Sequence, residues 1–473
     1  MELKQDDIVE LTAQKLVYSG AVLSHIDGKV VFIENAVPGD KIKARILRIN
    51  KNFIRAKIVE IIEPSSHRVK PFCPLFNACG GCNLQNVEYD FLISQKQGIL
   101  EEMFSQNASE AFKNIEFKPF IRSEKLKEYR CKIQNTVSET KVSKRLLTGY
   151  YKENTHEVVN IKFCPIQPKV VDEITGFIRE NWKFSGYVER TNKGLLKHVL
   201  IRFSNSSGKM LLTLVLNKDF EYFDKIKTEI EEFAKTLAEK FPVITGILVN
   251  FNPKKTNKIT GDKTELIFGD DFVEEKLKSV SGEEYTYKIS KDSFFQVNPK
   301  TAEKVFDAVK AFADKDSCIL DAYGGVGAIS IFLSNKAKKI TLVEESESAV
   351  NDAKANFKAN NCANYEVFLG DTKEIFKTLQ KPVQKSGKTF ERKYDLTILD
   401  PPRKGSDKEA LEIISKLTEK IVYVSCNPST LARDAKILYD LGFKLKSLQG
   451  ADMFPFTHHI ESIACFEKLS NEK

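Results

Sequence analysis

At 473 residues the chain is longer than one compact core normally holds, and its 42% hydrophobic and 29% charged residues exclude wholesale disorder. The balance of 73 Lys+Arg against 65 Asp+Glu, a net charge of +8, permits a polyanionic partner without demanding one. No stretch approaches the roughly 18 consecutive apolar residues of a membrane span, and the opening MELKQDDIVELTAQ lacks a signal peptide's basic-then-apolar order. A cytoplasmic protein away from membranes is expected.

In chain order, short apolar runs between Asp7 and about Pro64 (LVYSGAVL, KVVFIENAV, DKIKARILRI) alternate with turn signals at Asp27-Gly28 and Pro38-Gly39-Asp40. They predict an OB-like β-barrel over 1–64. From His67 to Gln85 periodicity fades, and Cys73, Cys79 and Cys82 crowd into CPLFNACGGC. Nine cysteines in a reducing compartment read as metal ligands or catalytic groups rather than disulfides, so a loop pinned by a metal centre is expected. Phe91, Leu92, Ile99, Leu100 and Phe104 fall at helical spacing and predict a helix over 89–106. A mixed, β-rich region follows to about 265 and contains the fourth cysteine candidate, Cys164 in FCPIQP.

After FFQVN (294–298) the pattern becomes regular. SCILDAY, KITLVEE, YEVFLGD, YDLTILD and KIVYVSC are buried-type strands separated by helical stretches, which predicts a parallel, doubly wound α/β sheet. The expected division is a barrel at 1–64, a central domain at 65–270 and a Rossmann-like domain at 271–473, with part of 90–125 packing on the last. The Lys/Gln/Ser/Gly-rich piece 381–393 reads as an exposed insertion.

The first strand of that sheet ends in Asp321-Ala322-Tyr323-Gly324-Gly325-Val326-Gly327, where glycines let the backbone approach a ligand. The second ends at Glu344, a carboxylate able to accept hydrogen bonds from ribose hydroxyls; the third ends in Gly370-Asp371, placed to address an adenine edge. Alone, each reads equally as a tight turn or a solvated helix start, and a nicotinamide dehydrogenase would carry a similar loop. Downstream, Asp400-Pro401-Pro402-Arg403-Lys404-Gly405 holds a carboxylate on a stiff turn at the carboxyl edge, and Ser425-Cys426-Asn427-Pro428 places a thiol on the neighbouring turn.

A pyrimidine C5 is too weak a nucleophile to take a methyl group from a sulfonium. A thiolate added at C6 makes the ring an enolate that can attack, and a base must later remove the C5 proton. Cys426 is the candidate thiol and Glu461, in HHIES, the candidate base, against the bland readings of an inert thiol and a surface carboxylate. Cys318, Cys362 and Cys465 sit in apolar settings without partners, and His458 and His459 are given no catalytic role.

VPGD, CPLFNACGGCNLQ, FFQVN, DPPRKG, SCNPSTLARD and HHIES together resemble the bacterial RNA uracil-C5 methyltransferase family nearly end to end, and most closely its iron-sulfur, TRAM-containing 23S rRNA branch. The resemblance implies a TRAM barrel, a central domain with a [4Fe-4S] cluster on Cys73, Cys79, Cys82 and Cys164, and a class I methyltransferase domain using S-adenosyl-L-methionine. It makes Cys426 the nucleophile and Glu461 the base, with Asp400 at the catalytic centre. Gln296, Tyr323, Gly325, Gly327, Glu344, Asp371 and Asp400 fall at cofactor or target-base positions, and Phe294 could stack on the base. Two positions depart from the family: Gly324 stands where a cysteine is often seen, and Ala328 where a polar residue commonly contacts the cofactor. Cys131 lies outside the cluster set, in a stretch with Arg130 and Lys132 that resembles the family's basic segment.

The cysteine spacing alone would equally suit tetrahedral zinc; the resemblance tips it to iron-sulfur. The implied partner is RNA, with 23S rRNA favoured because cluster and barrel occur together, and no obligate protein partner is expected. The alternatives are a tRNA uridine methyltransferase and a catalytically inactive RNA-binding assembly factor.

Overall fold

The computed structural model describes residues 3–105, 110–385 and 388–469. The amino-terminal unit is a six-stranded sheet ordered Ile8–Thr12, Lys41–Ile49, Phe53–Glu63, Lys29–Glu34, Val22–Ile26, Lys15–Leu16. Alternation sorts its side chains: Ile42, Ala44 and Ile46 point into one core with Val31, Ile33, Ile54 and Ala56. Its exit is pinned by buried Asp40, which accepts from the backbone N–H of Val37 at 2.7 Å and of Ser65 at 2.9 Å and pairs with Arg68 at 2.6 Å. Burial opposes ionisation there, but these donors hold the carboxyl below its usual value.

The central unit is a seven-stranded sheet ordered Val158–Asn160, Leu146–Tyr151, Lys132–Glu139, Leu196–Phe203, Met210–Leu216, Ile244–Phe251, Lys263–Gly269. Helices Lys169–Asn181 and Lys227–Lys240 share a core with it, Val171, Ile174, Ile230 and Leu237 meeting Val199, Ile201, Leu212 and Leu214.

The carboxyl-terminal unit is an eight-stranded sheet. Tyr365–Leu369, Ala337–Glu344, Ser317–Asp321, Leu396–Leu399 and Lys420–Ser425 run parallel in that spatial order. Glu461–Lys468 then pairs antiparallel with Lys420–Ser425, Phe443–Ala451 antiparallel with it, and Glu116–Ile121 parallel at the edge. The all-apolar parallel runs are explained by a core on each face: Ile319, Ile398, Val422 and Val424 on one, Leu320, Leu399, Ile421 and Tyr423 on the other.

Helix Tyr89–Ser105 packs Leu100 and Phe104 into the second of these cores; Gln106, the last position of the predicted helix, lies outside the described residues. Within the insertion, Val383–Lys385 and Lys388–Phe390 pair as a two-stranded ribbon, and 386–387 also lie outside the described residues. No described helix is long and apolar enough to cross a membrane.

Candidate active site

Every parallel strand ends at the same sheet edge, and the chemistry-bearing loops follow those ends. After Ser317–Asp321 the chain turns through Gly325 (φ +54) and Gly327 (φ +78), left-handed backbone that glycine adopts without strain. Glu344, at the end of the adjacent strand, faces this turn: one oxygen accepts from the Gly325 N–H at 3.0 Å and the other from the Ser346 N–H at 2.8 Å. A Cβ on Gly324 would meet the Leu342 side chain at 2.3 Å, so a larger residue at this position would require Leu342 to move. Buried Asp321 accepts from the Ser330 hydroxyl at 2.6 Å, and burial, helped by Glu344, pushes its carboxyl to about 6.

Tyr323 is half-buried and its hydroxyl meets that of Ser406 at 2.9 Å. Asp371 is exposed and caps helix Thr372–Gln380, accepting from the N–H of Lys373 and Glu374 at 3.1 and 3.2 Å. Part of its accepting capacity is therefore committed locally. Gln296 is buried, and its backbone is clamped to the central sheet: its carbonyl accepts from the Cys131 thiol at 3.3 Å, and the Val297 carbonyl from the Cys131 N–H at 2.9 Å. Phe294, two residues earlier, is 59% exposed.

The reactive groups meet through strand register. Ser425 pairs with Ser462, so Cys426 and Glu461 are the next positions along two adjacent antiparallel strands. Asp400 follows the strand on the other side of Lys420–Ser425. Glu461 is only 4% exposed, and neither its carboxyl nor that of Asp400 has a hydrogen-bond partner among the described residues. Burial, then the like charge of Asp321, raises Asp400 to about 7; burial, then the like charge of Asp400, raises Glu461 well above its ordinary value, with Arg403 opposing. The Cys426 thiol is raised to about 11 by burial, Glu461 and Asp400, with Arg403 pulling the other way.

A second group of predicted residues meets elsewhere. Cys73, Cys79, Cys82 and Cys164 line one cavity of about 400 Å³, walled by Leu75, Tyr150 and Ile161. All four thiols are free, and among the described residues no three His, Cys, Asp or Glu side chains stand close enough to hold a single metal ion.

A family profile described as tRNA (Uracil-5-)-methyltransferase matches residues 94–469, and a TRAM domain profile matches 8–59. The chain belongs to the tRNA (uracil-5-)-methyltransferase family. It is 33% identical over 471 residues to an uncharacterized RNA methyltransferase of Halalkalibacterium halodurans, covering 98% of each chain. It is 35% identical over 467 residues to one of Listeria monocytogenes, again covering 98% of each. Its fold matches that of the Pyrococcus abyssi tRNA (uracil-54, C5)-methyltransferase, solved in complex with S-adenosyl-L-homocysteine, with a TM-score of 0.72 at 21% identity over 97% of this chain and 100% of that one.

In this RNA methyltransferase several supporting residues escape sequence reasoning. Arg403 is exposed, forms no salt bridge among the described residues, and is the cation opposing the carboxylates around Cys426. Its carbonyl accepts from the Asn427 amide at 3.3 Å and the Thr430 hydroxyl at 3.4 Å, tying the Asp400 and Cys426 turns together. Buried Asp434 anchors the same turn, accepting from the Ser406 N–H at 2.8 Å and the Tyr423 hydroxyl at 2.7 Å. Beneath the loop leading to Glu461, fully buried Lys96 donates to Asp452 at 2.6 Å and to the His459 carbonyl at 2.9 Å. Arg403 lies in DPPRKG and Asp434 in SCNPSTLARD, and their charge was the available signal. Lys96 and Asp452, 356 residues apart, carried none.

Proposed function

We propose that this chain methylates C5 of a uridine in 23S rRNA, with Cys426 as nucleophile and Glu461 as the base that removes the C5 proton. The observation that carries the reading is the Ser425–Ser462 register, which sets a thiol beside a buried, unpartnered carboxyl at the edge holding the glycine turn and Glu344. Cys426 loses its thiol proton and the thiolate adds to C6, moving electron density to C5; C5 forms its bond to the donor's methyl carbon as the methyl–sulfur bond breaks, leaving a neutral thioether. Glu461, as its carboxylate, takes the C5 proton; and the C6–sulfur bond breaks, returning the thiolate and restoring the aromatic ring. S-adenosyl-L-methionine, when bound, supplies that methyl carbon on a sulfonium whose positive charge also favours the thiolate.

Glu344 and the Gly325–Gly327 turn would hold the donor's ribose and methionine part, with Tyr323, Gln296, Asp371 and Asp400 around it. The Pyrococcus relative's S-adenosyl-L-homocysteine supports the same donor here. The base must leave its stack to reach a thiol at a sheet edge, and exposed Phe294 offers a stacking surface for it.

A [4Fe-4S] cluster on Cys73, Cys79, Cys82 and Cys164 fits the donor set. The four cysteines line one cavity, and among the described residues no three of them stand close enough to hold a single metal ion, which speaks against one zinc with its sulfur ligands at about 2.3 Å. A cluster would hold this loop in shape, since methyl transfer from a sulfonium needs no electron. Anaerobically purified protein should carry iron and sulfide at roughly four each per chain; stoichiometric zinc would overturn the cluster.

The rRNA target rests on the joint resemblance of barrel and cysteine motif. A tRNA uridine is the second reading, favoured by the substrate named for the Pyrococcus relative. The deciding experiment offers 5-fluorouridine-containing 23S rRNA fragments and tRNA to the protein with S-adenosyl-L-methionine. The rRNA should be trapped covalently, because fluorine at C5 cannot leave as a proton. An adduct still formed by Cys426→Ala would refute the nucleophile, and trapping of tRNA alone would refute the target.

A further inference from the structure

The barrel does more than lie beside the catalytic unit. Its hairpin at 17–21 is a tight turn, closed by Gly20 N–H to Val17 carbonyl at 2.8 Å and Val17 N–H to Ala21 carbonyl at 3.0 Å. The turn is pressed against the loop that carries Glu461. At Gly20 (φ +84) a Cβ would meet the Asn83 amide at 2.4 Å and the His458 Cβ at 3.2 Å. Asn83 itself contacts the His458 ring at 3.1 Å. Next in the turn, Tyr18 stands edge-on to the His458 ring, centroids 6.2 Å apart, and its hydroxyl reaches the Cys426 carbonyl at 3.5 Å.

That distance is the outer limit of a hydrogen bond, so the phenol is directed at the nucleophile's turn while remaining largely free to bind something else. Besides Cys426, the charged groups around it are Arg403 and Glu461. On the other side of the same hairpin, Ser19, Gly20 and Ala21 border a cleft of about 1000 Å³. The cleft wall includes Arg55, in register with Phe32, and the Phe32 and Phe53 rings meet at 5.6 Å. Arg55 is the cation of a wall that also carries Glu34 and Glu153, so what suits an unpaired strand of RNA here is the pair of aromatic faces on which its bases can stack, with Arg55 meeting a single phosphate.

We propose that Tyr18 completes the catalytic pocket from the barrel: its hydroxyl hydrogen-bonds an oxygen of the inserted target nucleotide, while the flanking single strand lies in the Phe32–Phe53–Arg55 cleft. The inference rests on the RNA methylation reading and assigns the barrel a contact at the reacting nucleotide, beyond general affinity.

The test compares full-length wild type, Tyr18→Phe, Tyr18→Ala and Arg55→Ala on a 5-fluorouridine-containing rRNA fragment with S-adenosyl-L-methionine. At saturating RNA, Tyr18→Phe should slow covalent trapping by about 3–10-fold, the effect of one lost uncharged hydrogen bond, while its Kd for the fragment stays within about twofold. Arg55→Ala should do the reverse, weakening Kd with an unchanged saturating rate. A wild-type trapping rate in Tyr18→Phe, or a loss confined to Kd, would overturn the role of Tyr18.

If wild type itself formed no adduct, the proposed reaction would fail instead. Tyr18 then remains readable through iodoacetamide labelling of the Cys426 peptide by mass spectrometry. Removing the ring in Tyr18→Ala should speed that labelling at least about threefold, judged by the bulk removed from against the Cys426 turn, and an unchanged rate would overturn its place in the pocket.

Discussion

Lys96 and Asp452 form one set, beneath the loop that leads to Glu461; Glu461 and Asp400, which follows a strand two places away in the sheet, form another. Lys96, Asp452 and Glu461 are buried and Asp400 is largely so. The first set is fully partnered. Lys96 meets Asp452 and a carbonyl, and Asp452 also accepts from the Tyr89 hydroxyl at 2.9 Å. The second set has like charge facing like charge with no donor between, and its carboxyls are held above their ordinary values. Burial is common to both, so the difference lies in what each burial leaves free. A satisfied ion pair stiffens a loop, whereas an unsatisfied carboxyl is stored reactivity, ready to exchange a proton with something that enters.

The sharpest way to break this contrast is Glu461→Gln. With the base gone but the nucleophile intact, steady-state methylation should fall by about 10²–10⁴-fold and methylated RNA should accumulate in a covalent adduct; full turnover would remove Glu461 from the reaction. Next, Lys96→Met strands the buried Asp452 charge and should destabilise the fold by about 3–5 kcal/mol in denaturant titration. The paired replacement Lys96→Met/Asp452→Leu should recover most of that loss.

Asp400→Asn should act in the opposite direction. The folded carboxyl keeps its proton to about pH 7, whereas an unfolded aspartate releases it near its ordinary value of about 4. Between those values the unfolded chain binds fewer protons, so wild-type stability falls as pH rises. The asparagine variant lacks that fall, and its gain in melting temperature should be larger at pH 8 than at pH 5; a pH-independent difference would contradict the raised value. The smallest effect is expected from Arg403→Gln, which removes the cation opposing the carboxylates and should move the pH profile of Cys426 alkylation modestly upward.

The parallel sheet was legible because strands buried on both faces must be apolar throughout, as in KIVYVSC and YDLTILD, and because glycine turns and caps punctuate their ends. The cysteine motif and the Cys426 turn were legible for a similar reason: their spacing is local. Asp371 shows the limit. The same residue type at the same position serves as a helix cap, and sequence cannot weigh one use against the other. Arg403 lay in plain view within DPPRKG, but only the fold shows which charges it faces.

By itself, then, the sequence determined the order of elements, the glycine turn, the four thiols and a candidate nucleophile, all properties of short stretches of chain. Only the tertiary structure decided which of them meet. The final strand runs antiparallel into a parallel sheet, and that reversal puts Glu461 beside Cys426. A barrel hairpin more than four hundred residues away puts Tyr18 against the same turn, and a buried lysine fixes the loop between. Register and packing are set by the balance of burial over the whole molecule, and no local pattern encodes them.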